Sequence, residues 1–360
     1  MRAGALVLLA AALISCSGSA PPAADASPSA AQSLAADLRT QLDLLLGEHV
    51  MVLAKATAAA VNHTADYGAY AALLTTNSSD LAALLRRAFG NTAGMQLVKS
   101  WNEQNGYLVD YAIGVVTHDD AKAKAAMLTL TGEFVPRFAQ QLSDASGIGP
   151  GQAGQLLSPQ VTADKAFIDE VFAHDYTGFY TNLHRAYAQT SDLGDALALA
   201  VVRRFPDKFP GDPTPDEVDR RVTLNLLLQE HAYVSTMATA ALIAGRSAET
   251  PAASNALMTN RNALAALFGP EFPNVWTART NELLGYAAGD KAVTTPLTVD
   301  FVSNFSTLAH VTDTLVGSQL KATLKVIDDQ RSKLSEDVAD DDRAAAAAMQ
   351  PIADSAAIER

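Results

Sequence analysis

Cysteine is almost missing from this chain: its 360 residues contain one, Cys16. No intrachain disulfide can form, so the folded body has to be stabilised by packing. Aromatic residues are scarce too, at 6% against 49% hydrophobic residues overall, and the core must be mostly aliphatic and alanine-rich. Positive charge is in deficit. The 26 Lys and Arg face 39 Asp and Glu, a net charge of −13. That sign excludes nucleic acid as a partner, whose phosphates need a basic footprint. No segment alternates with period two for long, which argues against half-buried strands. Catalytic signatures are absent as well: there is no G-x-S-x-G, P-loop, Rossmann glycine fingerprint or zinc-protease helix. Nothing in the motifs reads as an enzyme.

What is present begins at the N-terminus. "MRAGALVLLAAALISCSGSA" has one early charge, Arg2, then an apolar run from Ala3 to Ile14, then small residues. This is the layout of a secretory signal over 1–15. The run is too short to span a bilayer comfortably, which takes about 20 apolar residues. Cys16 follows it directly in "LISC", with Leu13 three positions before the cysteine and Ser15 just before it. The motif resembles the lipobox of bacterial lipoproteins. That resemblance implies cleavage before Cys16, an acyl (palmitate-type) anchor on it, and a body on the extracytoplasmic side of a bacterial cell membrane. The alternative is a plain signal peptide that leaves Cys16 as a stray thiol. The Ser-, Ala- and Pro-rich segment through residue 32 reads as a disordered tether.

The rest repeats itself. "LLLGEHVMVLAKATAAAV" at 44–61 returns as "LLLQEHAYVSTMATAALI" at 226–243. Phe89-Gly90 is matched by Phe268-Gly269, Trp101 by Trp276, Asp119 by Asp290, and "EFVPRF" at 133–138 by "DFVSNF" at 300–305. The landmarks keep their order while the offset shortens, as loop insertions and deletions would make it do. Apolar residues recur at i, i+3, i+4 and i+7 throughout. The expected fold is therefore all-α, with two tandem four-helix-type bundles from an internal duplication. The first bundle, with extra helices, covers 33–205. Its helices are expected over 33–61, from a cap at Ser79 or Asp80 to Phe89, over 91–116, from 119 to about 142, over 162–189 and over 191–205. The proline-rich segment 206–215 is the linker. The second bundle covers 216–334, with helices expected over 214–245, 254–268, 271–288 and 296–334. An acidic, alanine-rich tail over 335–360 is expected to be disordered.

His49 falls in the middle of an apolar stripe with Leu42, Leu45, Leu46, Val52, Leu53 and Ala56, and His231 sits the same way. Glu48 and Glu230 lie about 100° round the helix, at the stripe's edge. Both imidazoles should point inward and both carboxylates should face a boundary between helices. A buried polar group costs about 1–3 kcal/mol unless it is hydrogen-bonded, so each pair needs partners. Candidates in the first copy are Glu103, Gln104, Asn105, Asp110, His174, Asp175 and His184. In the second they are Arg279, Asn281, Glu282, His310 and Asp313. Two readings stay open. One is a divalent metal or small-ligand site built from Glu48, His49, His174, His184, Glu230, His231 and His310. The other is a core hydrogen-bond network that fixes helix register. His63 and His118 fall near helix ends and read as solvated or capping. The aromatic stripe Phe172, Tyr176, Phe179, Tyr180, Leu183 and Tyr187 reads as core packing or a ligand platform.

With these residues the chain resembles small helical proteins of bacteria that carry an "L-x-EH-x-x-x-T" helix and a later "V-R-R/Q-F-P" helix end. The matching pieces are Leu46 to His49 and "VVRRFPDKF" at 201–209, so the resemblance covers roughly 40–210. It implies a helical bundle and no particular activity. The shape is also similar to ferritin-like folds, but their Glu-x-x-His ligand pair is missing, which puts iron chemistry in doubt. The expected function is a non-enzymatic, lipid-anchored envelope protein that binds a metal ion or small ligand. The alternative is a structural or interaction bundle, with an envelope protein as partner.

Overall fold

The structure is a computed structural model that describes residues 29–358. The signal, Cys16 and most of the tether lie outside the described residues. Every regular element among the described residues is helical. In chain order they are α1 (Leu34–Val61), α2 (Tyr67–Phe89), α3 (Asn91–Val116), α4 (Asp120–Thr129), α5 (Val135–Ser146), α6 (Pro150–Phe172) and α7 (Tyr176–Arg204). The second half runs α8 (Asp216–Ile243), α9 (Glu249–Phe268), α10 (Phe272–Ala287), α11 (Val302–Ala309), α12 (Asp313–Ser332), α13 (Val338–Ala347) and α14 (Gln350–Ile358). A π-turn at Leu130–Phe134 joins α4 to α5, and another at Pro296–Phe301 leads into α11.

The centre is α1 lying against α8. Ser33 caps α1 by accepting from Ala36 N–H, and Asp37 sits in the first turn, where a carboxylate is favourable. Acidic Asp216, Glu217 and Asp219 do the same for α8. Both helices are buried on nearly all sides, which is why their apolar residues do not stop at one stripe. By length and hydropathy α1 would also qualify as a membrane span, but 72% of its apolar window is buried inside this fold.

The last helices of each half reach across. α7 packs on α1 and on α9, while α13 and α14 pack on α8 and α13 also touches α2. The resulting contacts are reciprocal. Arg39 binds Asp195 on α7 and Asp219 on α8, and Arg221 binds Asp354 on α14 (2.8 Å) and Asp37 on α1 (2.6 Å). Tyr111 on α3 donates to Asp169 on α6, as Tyr286 on α10 does to Asp328 on α12 (2.9 Å). Phe134 stacks on Phe138 and Phe301 on Phe305 just after each π-turn.

Several expected boundaries move. The α2 helix begins at Tyr67 rather than near Asp80, so "TTNSS" is helical. Its hydroxyls at Thr75, Thr76, Ser78 and Ser79 each bond the carbonyl four residues back, which removes their preference for a turn. The helix expected over 162–189 is broken at Ala173–Asp175, and α6 starts earlier, at Pro150. Likewise the long helix expected over 296–334 is broken at His310. The two halves share one contiguous apolar cluster, so they pack directly on each other. Each half also has more than four helical segments.

The tail expected to be disordered is folded. Its charges are used as partners: Asp342 pairs with buried Lys55 at 2.5 Å, Asp341 with Lys325 at 2.6 Å, and Arg343 with Glu48 at 3.0 Å. Its alanines are small enough to pack α13 and α14 closely on α8, and Ala345, Ala353 and Ala356 are fully buried. The linker is pinned as well: Phe209 is buried, Pro210 O accepts from Ala35 N–H, and Pro213 O accepts from Arg39.

Candidate functional site

Both Glu-His pairs are buried, the imidazoles pointing into their halves and the carboxylates into the seam between them. Glu48 is closed on all sides. Asn77 Nδ2 donates to Oε2 at 2.8 Å, Tyr233 OH donates to Oε1 at 3.0 Å, and Arg343 forms a fork to both oxygens at 3.0 Å each. Glu230 is held by Asn260 Nδ2 at 2.9 Å and His184 Nδ1 at 2.6 Å. Asn77 and Asn260 also donate to the carbonyls of Leu45 and Leu227, so each asparagine bolts α2 or α9 to the Glu-His turn. Where Glu48 has an arginine, Glu230 has a histidine. Hydrogen bonding to Glu230 raises the His184 imidazole above its ordinary value, against the opposing effect of burial.

His231 is fully partnered. Arg279 Nη1 lies 2.7 Å from Nε2, while Asn260 Oδ1 at 3.1 Å and the donating Trp276 Nε1 at 3.0 Å both approach Nδ1, with the Trp276 ring 4.7 Å away. Arginine can only donate, and its shorter contact makes Nε2 the acceptor. Burial, then the Arg279 charge, holds this imidazole well below its ordinary value and keeps it neutral. Burial also lowers Arg279, to about 9. His49 stands in matched surroundings, 4.8 Å from Trp101, yet neither ring nitrogen meets a partner within hydrogen-bond reach. Burial lowers it to about 4, with Asn77 pulling weakly the other way.

The metal reading loses its donor set. Among the described residues no group of three or more His, Cys, Asp and Glu comes together. His184 and Glu230 are the one pair of the proposed ligands in contact. Glu48 is already neutralised by Arg343, and the His231 Nε2 lone pair is occupied by Arg279. His174 and His310 sit at left-handed helix ends, with φ of 57° and 56°, the same role His63 and His118 play. Of the other candidate partners, Arg279 meets His231 and Gln104 lies beside His49, while Asn105 donates to Ser78 and Asp110 pairs with Lys122. Glu103 pairs with Arg137. The aromatic stripe packs the core: Tyr180 OH donates to Glu249 and Tyr187 OH to Gln229.

Sequence reading missed Asn77, Asn260 and Arg343. The asparagines carried a signal, since "TN-x-x-x-LAAL" occurs at 76–84 and again at 259–267. Arg343 carried none, because it lies in the segment read as disordered.

A wider opening lies elsewhere. A cleft of about 760 Å³ lies between α1, α2 and α3. Leu53, Ala56 and Ala60 form its floor, and Tyr67, Leu74, Val109 and Ile113 its walls. No Asp, Glu, Lys or Arg lines it; the polar groups are Thr57, His63, Thr64, Thr75, Asn102, Asn105 and Thr117. Asn105 Oδ1 has no hydrogen-bond partner there. No protein-family model, curated protein or solved structure matches the chain.

Proposed function

We propose that this chain is a non-enzymatic ligand-binding protein of a bacterial envelope, tethered through a lipid on Cys16, and that the cleft between α1, α2 and α3 is its binding site. The uncharged lining of that cleft carries the reading. In a chain with 18% charged residues, a site of this size without one favours a neutral, mostly apolar guest. Its volume falls within the about 300–1,000 Å³ usual for small-molecule sites. Asn105 Oδ1, facing the guest without a donor, suits a hydroxyl or amide group. The Glu-His pairs then belong to the framework: they lock α2 and α9 to the central helices, and no third acidic, imidazole or thiol donor among the described residues joins them.

Gly106 offers the test. A Cβ there would meet nothing within 4 Å, so a large side chain can grow into the cleft. Wild type should bind an uncharged naphthylamine dye, and dodecanol should displace it. Gly106→Phe should weaken dye binding at least tenfold while circular dichroism and Tm stay near wild type. Equal dye binding by both proteins, or none by wild type, overturns the cleft assignment. The anchor is tested separately by fractionation: Cys16→Ala should leave the membrane fraction, and retention there rejects lipidation.

A further inference from the structure

The void beside His49 is a second, smaller site, independent of the cleft. His49, Trp101, Gln104, Gln160, Gln189 and Thr190 supply its polar lining around about 10 Å³ of space. His49 and Gln104 are 1% and 2% exposed. Both His49 nitrogens, Trp101 Nε1, and the Oε1 atoms of Gln104, Gln160 and Gln189 are buried without a hydrogen-bond partner. Orphaned buried polar atoms are uncommon, and six around one void call for an explanation.

The second half shows what such acceptors hold. There Arg279, three residues after Trp276, places Nη1 2.7 Å from His231 Nε2 and Nη2 3.4 Å from Gln319 Oε1. Gln319 is oriented by donating Nε2 to Thr323, four residues on. In the first half Gln104, three residues after Trp101, stands where the arginine stands. Gln160 is oriented the same way, donating Nε2 to Asp164, four residues on, at 2.9 Å. Its Oε1 is therefore fixed toward the void. The second half sets the tautomer: His231 offers Nε2 as the acceptor to Arg279, and His49, with neither nitrogen partnered, offers Nε2 in the same way. His49 Nε2 and Gln160 Oε1 are thus the two acceptors that a guanidinium satisfies in the other half.

We propose that this void binds one ammonium ion, which takes the place of the Arg279 guanidinium. Four acceptors surround it, from His49, Gln104, Gln160 and Gln189, against one donor, Trp101 Nε1. Water donates two hydrogen bonds; ammonium donates four and accepts none. Alkali cations prefer an all-oxygen shell and gain little from an imidazole nitrogen. Size excludes larger amines and guanidinium, because a space of about 10 Å³ holds one water-sized guest. An ionisable carboxyl stands behind Gln160: Asp164 is fully buried and keeps one oxygen unpartnered, and a cation in the void favours its charged form. In the second half the matched residue is the neutral Thr323, opposite a built-in arginine charge. The charge is thus carried by the chain in one half and by the guest in the other.

The experiment uses the full mature chain at pH 7. Thermal unfolding is followed with added ammonium, potassium or sodium chloride at equal ionic strength. Ammonium alone should raise Tm, by on the order of 2 °C at ten times its dissociation constant. With ¹⁵N-labelled ammonium, a bound resonance should show cross-peaks to the Trp101 indole proton. Gln104→Arg rebuilds the second-half arrangement and should abolish both responses. Gln104→Leu, which only removes an acceptor, should weaken ammonium binding at least fivefold, and it serves if the arginine variant fails to fold. Gly106→Phe should leave the ammonium response intact, which separates this site from the cleft. Equal Tm shifts with all three salts and no bound resonance in wild type mean that only water enters, and the proposal falls.

Discussion

Asp164 shows how much one buried side chain can set the pH response. Burial pushes its carboxyl up to about 7 from an ordinary 3.8, and the Gln160 amide opposes this only in part. The folded state therefore holds the proton that the unfolded chain gives up. Its contribution to stability falls as pH rises from 3.8 and is fully lost above 7. His49 runs the other way: lowered to about 4, it stays neutral when folded, and stability falls as pH drops from 6.5 through 4. The two windows overlap and partly cancel. In ammonium-free buffer, Asp164→Asn should raise stability at pH 8 by ~3 kcal/mol, leave it unchanged at pH 3, and expose the His49 slope between 4 and 6.5. Urea denaturation at the three pH values checks this; destabilisation at pH 8 would refute it. At this scale the inward imidazoles and boundary carboxylates were legible in the stripe around His49. Arg279 was legible too, as a candidate partner in its own copy, but Arg343 and His184 were not assigned to their glutamates, because each reaches its carboxylate from the opposite half of the chain and no spacing encodes that.

Helix ends form a second pattern. His63 is matched by Gly245, Gly90 by Gly269, His118 by Gly289, Gly147 by His310, and His174 by Lys333, all with positive φ. At His63, His118, His174 and Lys333 the following N–H reaches back to a carbonyl in the last turn, as in Thr64 N–H to Ala59 O at 2.9 Å. The left-handed conformation costs a non-glycine residue about 1–2 kcal/mol, part of which is offset by the lower chain entropy it has when unfolded. His310 is exposed and makes no ring contact, so it isolates the effect. His310→Gly should stabilise the protein by ~0.5–1 kcal/mol, and Gly147→His should destabilise it by a similar amount. Equilibrium denaturation reads both; a loss from His310→Gly would contradict the assignment. The glycine ends were visible in the sequence. Two of the histidine ends, His174 and His310, read as ligands, because an imidazole that closes a helix looks like one that binds a metal. The π-turns were hidden too, although "EFV" and "DFV" mark where both end.

For the whole molecule, the all-α class could be read from periodicity. The join could not. Treating each half as closed made the acidic tail look superfluous, whereas Asp342 and Arg343 on α13 satisfy Lys55 and Glu48. The same reciprocity bears on where the chain has to begin. Arg221 binds Ala31 O and Asp354 together, so the first and last helices meet at one guanidinium. At the matched arginine, Arg39, the polypeptide simply runs on through Pro213. The stretch around Ala31 and the proline segment therefore fill equivalent places, one against each arginine. A circular permutant opened at 210 and joined by a short glycine-serine bridge from 358 to 29 should keep its helical circular dichroism and a single cooperative melt. A non-cooperative melt would mean that the order of synthesis, and not the final geometry alone, decides which arginine takes which aspartate.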